Sequence, residues 1–451
     1  MKRWFGFLFA VALVLLAASS LFASGRTETP TTSGTTSTIG GKLDVYAFSG
    51  PIKAEFWQDV VTEFNSRYPN VSVHLVANPT VNSEIRPRIV AGDPPGVYFN
   101  AGAGRITVDQ LYKEGLILQL DDLLNGKDWA GTARLRDTIS SNALDVIEGE
   151  TWGVELPFQL VGFYYNKDVF DRNGWTVPTN FDEFLAEAPK MVAKGVAPMV
   201  TTGVYPYYFT DFVLREAVAA EGGPQALIDW VELKSGFFTS PVFENVIKKY
   251  QTVIDKGYLL AGSEGMNHIQ SEQEWINGKA AMVTSGTWIE SEMAKDFPPG
   301  YTQGIRFVPS FFIDKGVKPV VSPYGSATVM IFKKGNAPAA EEFVRTLFSK
   351  KMMIRMTELT NILSNVPTAN AEAQKSPAIQ SALDWWNKAQ QVSWPQGGYL
   401  TSDVNQALYA QLQALMTKQV TAEELCQNVE AAAAKVRADK SVKFIKAYFP
   451  K

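Results

Sequence analysis

Six aromatic residues, Phe158, Tyr205, Tyr208, Phe209, Trp288 and Trp394, fall in or beside loops at the ends of predicted strands. An aromatic on a helical stripe is explained by core packing, and these positions lack that explanation. Any one of them could equally plug a seam or fill a loop. Together they suggest a stacking platform, because a pyranose ring has apolar C–H faces and polar edges. Gln159 and Asn100 are polar side chains placed to serve the edges. A paired-tyrosine site for ferric ion is the metal alternative, using Tyr164-Tyr165 or Tyr207-Tyr208. Adjacent residues of a strand face opposite sides, so Tyr164 and Tyr165 could not share one ion.

Catalytic signatures are missing from the sequence. There is no GxSxG elbow, HExxH, P-loop or GxGxxG. A glycosidase needs only two facing carboxylates, but the Asp and Glu residues mostly fall on predicted helix faces. The expectation is a binding protein and not an enzyme, with no cofactor. His74 and His268 lack metal-ligand spacing, so no metal site is expected. The single cysteine, Cys426, cannot form an internal disulfide and reads as a small buried residue in a helix.

The elements that must position these residues follow from periodicity. Leu43–Phe48 begins with strand alternation, and Ser49-Gly50-Pro51 turns the chain. Phe56, Val60, Val61 and Phe64 form a helical stripe that Tyr68-Pro69-Asn70 stops. Val71, Val73 and Leu75 alternate as a second strand, so the chain opens as strand–helix–strand, the start of a parallel sheet. Glu84–Ala91 reads as a second helix and Val97–Phe99 as a third strand. Ligands of open parallel sheets bind beyond the carboxyl ends of strands, which puts Ser49, Gly50 and Asn100 on that side.

Thr151–Asn173 is the organising stretch. It runs through apolar and aromatic residues without helical period, and Pro157 interrupts it. The chain should leave one sheet there and enter another, crossing between two lobes. Asn180 is a candidate N-cap for the following helix. Pro198–Val200 and Ala280–Val283 read as strands, with an aromatic loop over 203–209 and a loop over 284–288. Ile305–Pro309 and Val317–Met330 read as a return crossing. The chain from Ser381 onward reads as mostly helical, ending in two helices.

With 451 residues the chain is long enough for two or more domains. Its net charge of −4 provides no basic field for nucleic acid or an anionic membrane. Lys2-Arg3, an apolar run from Trp4 to Leu16 and small residues up to Ala23 form a signal peptide pattern, with cleavage expected near Ala23. No cysteine follows to take an acyl anchor. Residues 24–41 are a Ser/Thr/Gly tether.

Several motifs in order resemble the extracellular solute-binding proteins of ABC importers, in the carbohydrate-binding branch that includes maltose-binding protein. They are FWQDVVTEFNSRYPNVSV, GDPPGVYF (with Gly96 where Asp is usual), LYKEGLILQLDDLL, WGVELPFQLVGFYYNKDVFDRNG with FDEFLAEAPK, INGKAAMVTSGTW, and ALYAQLQALMTKQVTAEELCQNVEAA. The resemblance implies a type II two-lobed α/β fold that closes on a sugar by hinge motion. The lobes would be 42–156 with 320–366, and 157–319 with 367–451. It implies a periplasmic monomer that delivers its cargo to membrane permease subunits. By position it implies ligand contacts from Gln159, Trp288, Tyr208, Phe209, Ser49, Gly50 and Asn100, with Phe158, Glu84, Tyr324 and Trp394 beside the cleft. Asn100 stands where relatives of maltose-binding protein use an aromatic, which weighs against malto-oligosaccharide. A polyamine or ferric ion on the same fold, or a secreted carbohydrate-active enzyme, are the alternatives.

Overall fold

A computed structural model of the protein describes residues 39–325 and 327–449. The expected signal peptide, 1–23, lies outside the described residues, as does the tether up to residue 38. The end of the tether is ordered, contrary to expectation. Gly40 accepts a hydrogen bond from Asn336, and Gly41 already pairs with Val71.

Strand β1 (Gly41–Phe48) buries Leu43, Val45 and Ala47 on one face. The helix Ala54–Arg67 follows and buries Phe56, Trp57, Val60, Val61 and Phe64 against it. This helix ends at Tyr68 because Pro69 disfavours helical backbone in the residue before it. Strand β2 (Val71–Asn78) runs parallel to β1, and β3 (Val97–Asn100) flanks β1 on its other side, also parallel. The helix between β2 and β3 spans Val81–Val90 and starts three residues before the expected Glu84. Its start is set by an Asn78 turn, in which the Asn78 side chain accepts from the Thr80 amide at 2.8 Å.

Strands β4 (Leu144–Ile147) and β5 (Glu150–Glu155) form an antiparallel pair. The chain then leaves this sheet at Leu156-Pro157. It makes the two-residue strand β6 (Pro157–Phe158) and enters a second sheet as β7 (Val161–Asn166). The second sheet adds β8 (Ala197–Val200), β9 (Ala280–Gly286) and β10 (Ile305–Val308), in the order β10-β7-β9-β8. Strand β9 extends to Gly286, through residues expected to form a loop. Asn180 caps its helix as expected, its side chain accepting from the Glu183 amide at 3.1 Å.

The return passes through β11 (Val320–Val321) to β12 (Thr328–Ile331), which inserts antiparallel between β3 and β5. The first sheet therefore reads β2-β1-β3-β12-β5-β4. The short strand β13 (Leu363–Ser364) pairs with β6, and β14 (Gln390–Gln391) pairs with β11. The C-terminal part holds the helices Asp403–Met416 and Ala422–Ala438. It also holds a strand pair that sequence reading missed, β15 (Gln396–Tyr399) with β16 (Phe444–Tyr448). Glycines at 397 and 398 and short alternation hide this pair from a periodicity search. Among the described residues no helix is long and apolar enough to cross a membrane.

Candidate ligand-binding cleft

Three loops converge where the two sheets meet: those after β1 and β3 and the one after β9. Phe48 closes the floor. A Cβ on Gly102, whose φ is +69°, would meet the Phe48 ring at 2.5 Å, so only glycine fits beneath it. On the other side a Cβ on Gly286 would meet the Trp288 indole at 2.0 Å. The glycine of the SGTW motif thus lets Trp288 fold back across its own strand. Thr287 fixes this loop to the crossing segment, its amide donating to the Leu160 carbonyl at 3.0 Å.

The result is a cavity of about 430 Å³ with an aromatic wall. Phe212 is its centre. Its ring meets Tyr208 at 4.4 Å, Tyr324 at 5.1 Å and Trp288 at 5.7 Å between centroids. Gly50 and Gln159 also line it. The Gln159 side chain makes no hydrogen bond among the described residues, while its backbone carbonyl accepts from the Tyr324 amide at 2.8 Å. That bond ties the two crossing segments together. The volume and the mixture of rings with a few polar groups suit a small organic ligand.

Phe212 escaped sequence reading, and the cause is local. The helical stretch from Tyr207 to Gly222 contains a π turn over Thr210–Leu214. A single π turn inserts one residue into the helix and re-aims the side chains around it. Here it turns Tyr208, Asp211, Phe212 and Arg215 toward the cleft. Tyr207 and Tyr208 were expected in a loop and instead begin this helix.

Next to the aromatic cavity are two smaller ones of about 140 and 280 Å³. Their lining is charged, with Asp109, Asp145, Glu148, Glu155 and Asp211 set against Arg105 and Arg215. Strands and helices supply the carboxylates, which is why the loops gave no sign of them. Thr328 Oγ1 lies 2.9 Å from Asp145 Oδ2 and 3.0 Å from Glu155 Oε1. A hydroxyl donates only once, so both contacts are hydrogen bonds when one carboxyl of this pair carries a proton. Burial first, and then the proximity of Asp145, push the Glu155 carboxyl upward, and burial likewise raises Asp145. Arg105 lines both the aromatic and the charged cavity and has no ion pair among the described residues. Burial opposes its charge, but Tyr324, Tyr207, Asp211 and Glu155 around it outweigh that and raise its pKa.

The structure divides the expected site residues into three groups. Gly50, Gln159, Tyr208, Trp288 and Tyr324 line the aromatic cavity. Asn100, Phe158 and Trp394 line the charged cavities. Asn100 is a clasp as well: its amide donates to the Ile106 carbonyl at 2.8 Å and accepts from the Thr328 amide at 2.7 Å. Trp394 carries the Arg215 guanidinium over its ring at 3.8 Å.

The remaining three, Ser49, Glu84 and Phe209, line none of these cavities. Ser49 is buried at the end of β1, and its amide donates to the Asn78 carbonyl at 3.1 Å. Glu84 is on the exposed first turn of a helix, not in a loop, and accepts from Thr80 at 2.8 Å and Asn78 at 3.0 Å. Phe209 is 2 % exposed and stacks on Tyr250 at 3.8 Å. Its helical position, one residue past Tyr208, turns it into the core. For the ferric alternative, β7 sets Tyr164 and Tyr165 on opposite faces. Among the described residues no group of three or more His, Cys, Asp or Glu side chains could hold a metal ion.

Two mixed α/β lobes joined by crossing segments over an aromatic cleft define a two-lobed solute-binding protein. The chain belongs to the bacterial extracellular solute-binding proteins, whose family profile matches residues 50–354. It is 24 % identical over 320 residues to the diacetylchitobiose binding protein NgcE of Streptomyces coelicolor, an alignment covering 68 % of this chain. The chain spans 66 % of the length of that curated relative. Its fold is similar to a solved chitin oligosaccharide binding protein, with TM-score 0.70 at 19 % identity, over 87 % of this chain and 99 % of the other. It is also similar to RafE in complex with raffinose, with TM-score 0.63 at 17 % identity, over 87 % and 99 %.

Proposed function

We propose that this chain is the substrate-binding component of an ABC importer, taking a mono- or oligosaccharide in the cleft between its lobes. The observation that carries the reading is the cluster of Trp288, Tyr324, Tyr208 and Phe212 around one open cavity, with Gln159 at its edge. Sugar C–H faces stack on such rings, and the edges hydrogen-bond to amide, carboxylate and guanidinium groups. The relatives named for diacetylchitobiose, chitin oligosaccharide and raffinose support a carbohydrate cargo.

In this reading the protein is exported, its leader is cut near Ala23, and it works as a periplasmic monomer that delivers sugar to permease subunits. Lobe 1 comprises 42–156 and 320–366, and lobe 2 comprises 157–319 and 367–451. Phe158, Asn100 and Trp394 contact only the longer ligands that reach the charged cavities. The protein binds its cargo and releases it unchanged.

A second reading has one observation in its favour. Five carboxylates, Asp109, Asp145, Glu148, Glu155 and Asp211, line the charged cavities and would suit a polyamine. Arg105 and Arg215 among them offset that charge, which favours a neutral ligand. The test is a thermal-shift panel on residues 24–451 with mono- and oligosaccharides, polyamines and ferric citrate. A ligand at about 100 times its dissociation constant stabilises the fold by roughly 2.7 kcal/mol. A shift with one sugar class, lost in Trp288→Ala, is the expected result. A shift with a polyamine alone would replace the cargo, and release of product from an oligosaccharide would replace the transport reading with an enzyme.

A further inference from the structure

The wall of the aromatic cavity contains a buried acid pair. Glu272, on the helix His268–Ile276, is 0 % exposed. Its Oε1 accepts from the Ser285 hydroxyl of β9 at 2.7 Å, and its Oε2 has no donor. Glu292 closes the short helix after Trp288. Its Oε1 is 3.2 Å from His268 Nε2, and its Oε2 is also buried without a donor. His268 and Glu272 lie four residues apart on one helix face, so Glu292, which meets His268, faces Glu272 as well. Both oxygens are acceptors when ionised, so the contact is repulsive unless a proton lies between them.

No lysine or arginine among the described residues resolves this. His268 is the only basic group paired with Glu292, and among the described residues no lysine or arginine pairs with either carboxyl. The other groups facing the pair are neutral or acidic. Tyr208 stands on the cleft side and Tyr164 on β7, the latter with its buried hydroxyl unpartnered. Glu290, next to Tyr164, is taken up by Ser376, and the Tyr205 ring lies against His268 at 5.6 Å. An isolated buried carboxylate is costly to keep ionised, so the group neutralises instead. One proton on Glu272 satisfies both orphan oxygens at once.

We propose that Glu272 is protonated at neutral pH and acts as a positioning residue, holding Glu292 with one oxygen on Glu272 and the other on His268 in the cavity wall. Glu292 and His268 line the cavity and are the groups that meet the ligand, so this inference rests on the cleft being the ligand site. When the proton leaves to solvent, two buried negative charges face each other. Glu292 then loses its fixed orientation, and ligand affinity falls.

The test uses Glu272→Gln, which keeps the acceptor for Ser285 and a permanent donor for Glu292. Three readouts apply. In the infrared, the difference spectrum of wild type minus variant, without ligand, shows a protonated-carboxyl band, over and above that of the Asp145–Glu155 pair common to both. In thermal unfolding, a raised folded-state pKa means the folded chain holds its proton longer than the unfolded one. Wild-type stability therefore declines relative to the variant as pH rises from about 4. In calorimetry with diacetylchitobiose and raffinose, wild-type affinity falls roughly ten-fold across the titration while the variant stays flat.

Absence of the band, together with parallel stability profiles, overturns the proton. A confirmed proton with parallel affinity profiles overturns the positioning role. If neither sugar binds, the carbohydrate reading fails for these cargoes while the first two readouts still decide the proton. Should Glu272→Gln not fold, Glu292→Gln gives the same loss of slope in the unfolding profile.

Discussion

Ser291 Oγ donates a hydrogen bond to the Pro51 carbonyl at 2.8 Å. Pro51 belongs to the turn after β1, and Ser291 to the short helix after Trp288. The bond therefore joins the two sheets at the mouth of the cleft. At the opposite rim, Gln396 donates to the Leu144 carbonyl at 2.8 Å, and the Tyr448 hydroxyl to the Val146 carbonyl at 3.0 Å. Such ties favour the closed arrangement, and closure is part of what ligand affinity measures. Ser291→Ala is expected to remove about 1 kcal/mol. The dissociation constant should rise roughly five-fold, mostly through faster release in stopped-flow. Unchanged release would mean that the bond does not distinguish open from closed.

Trp288 and Phe209 separate binding from packing. Trp288 faces the cavity, so Trp288→Ala should weaken sugar binding by about 2 kcal/mol, roughly thirty-fold, and, because the ring is also packed on Phe212 and Tyr324, should destabilise the fold as well. Phe209 stacks in the core on Tyr250. Phe209→Ala should destabilise the fold by about 3–5 kcal/mol and leave the affinity of the folded protein unchanged. Calorimetry and urea unfolding on both variants check the contrast.

The Asp145–Thr328–Glu155 arrangement predicts a pH dependence. Both carboxyls are raised in the folded state, by burial first. The folded chain therefore keeps a proton that the unfolded chain gives up above about pH 4. Stability should fall from there as pH rises through the raised folded values, by up to about 1.4 kcal/mol per pH unit for each proton the fold holds. Glu155→Gln should flatten this slope and be more stable than wild type at mildly alkaline pH. Urea midpoints across the pH range measure it, and an unchanged slope would remove the shared proton.

Cys426 lies 1 % exposed in the helix Ala422–Ala438, and burial pushes its thiol up to about 12. It should not react with a thiol reagent in the folded protein and should react fully in denaturant. Labelling timed against unfolding checks this, and rapid labelling of the native chain would contradict it.

Much of the architecture was legible in the sequence because its signals are local. The stripe of Phe56, Val60, Val61 and Phe64 has only one periodic solution. Pro157 within an apolar run marks the point where the chain changes sheet. Asn180 caps its helix with its own side chain. Trp288 could be placed because glycine precedes it by two residues at a strand end. The parts of the site that depend on several segments meeting were not legible. Phe212 and Asp211 reach the cleft through a π turn, a departure from helical period that composition does not signal. Phe209 is an aromatic next to Tyr208 in the chain but rotates into the core. Asp145, Glu155 and Asp211 are distant in sequence, and Glu272 and Glu292 are twenty residues apart; each set meets only when strands and helices pack. The sequence by itself determined the crossing segments and the strand–helix–strand opening, because these follow from neighbours along the chain. Only the tertiary structure decided which rings and carboxyls share one space, because burial and charge proximity are properties of packed segments.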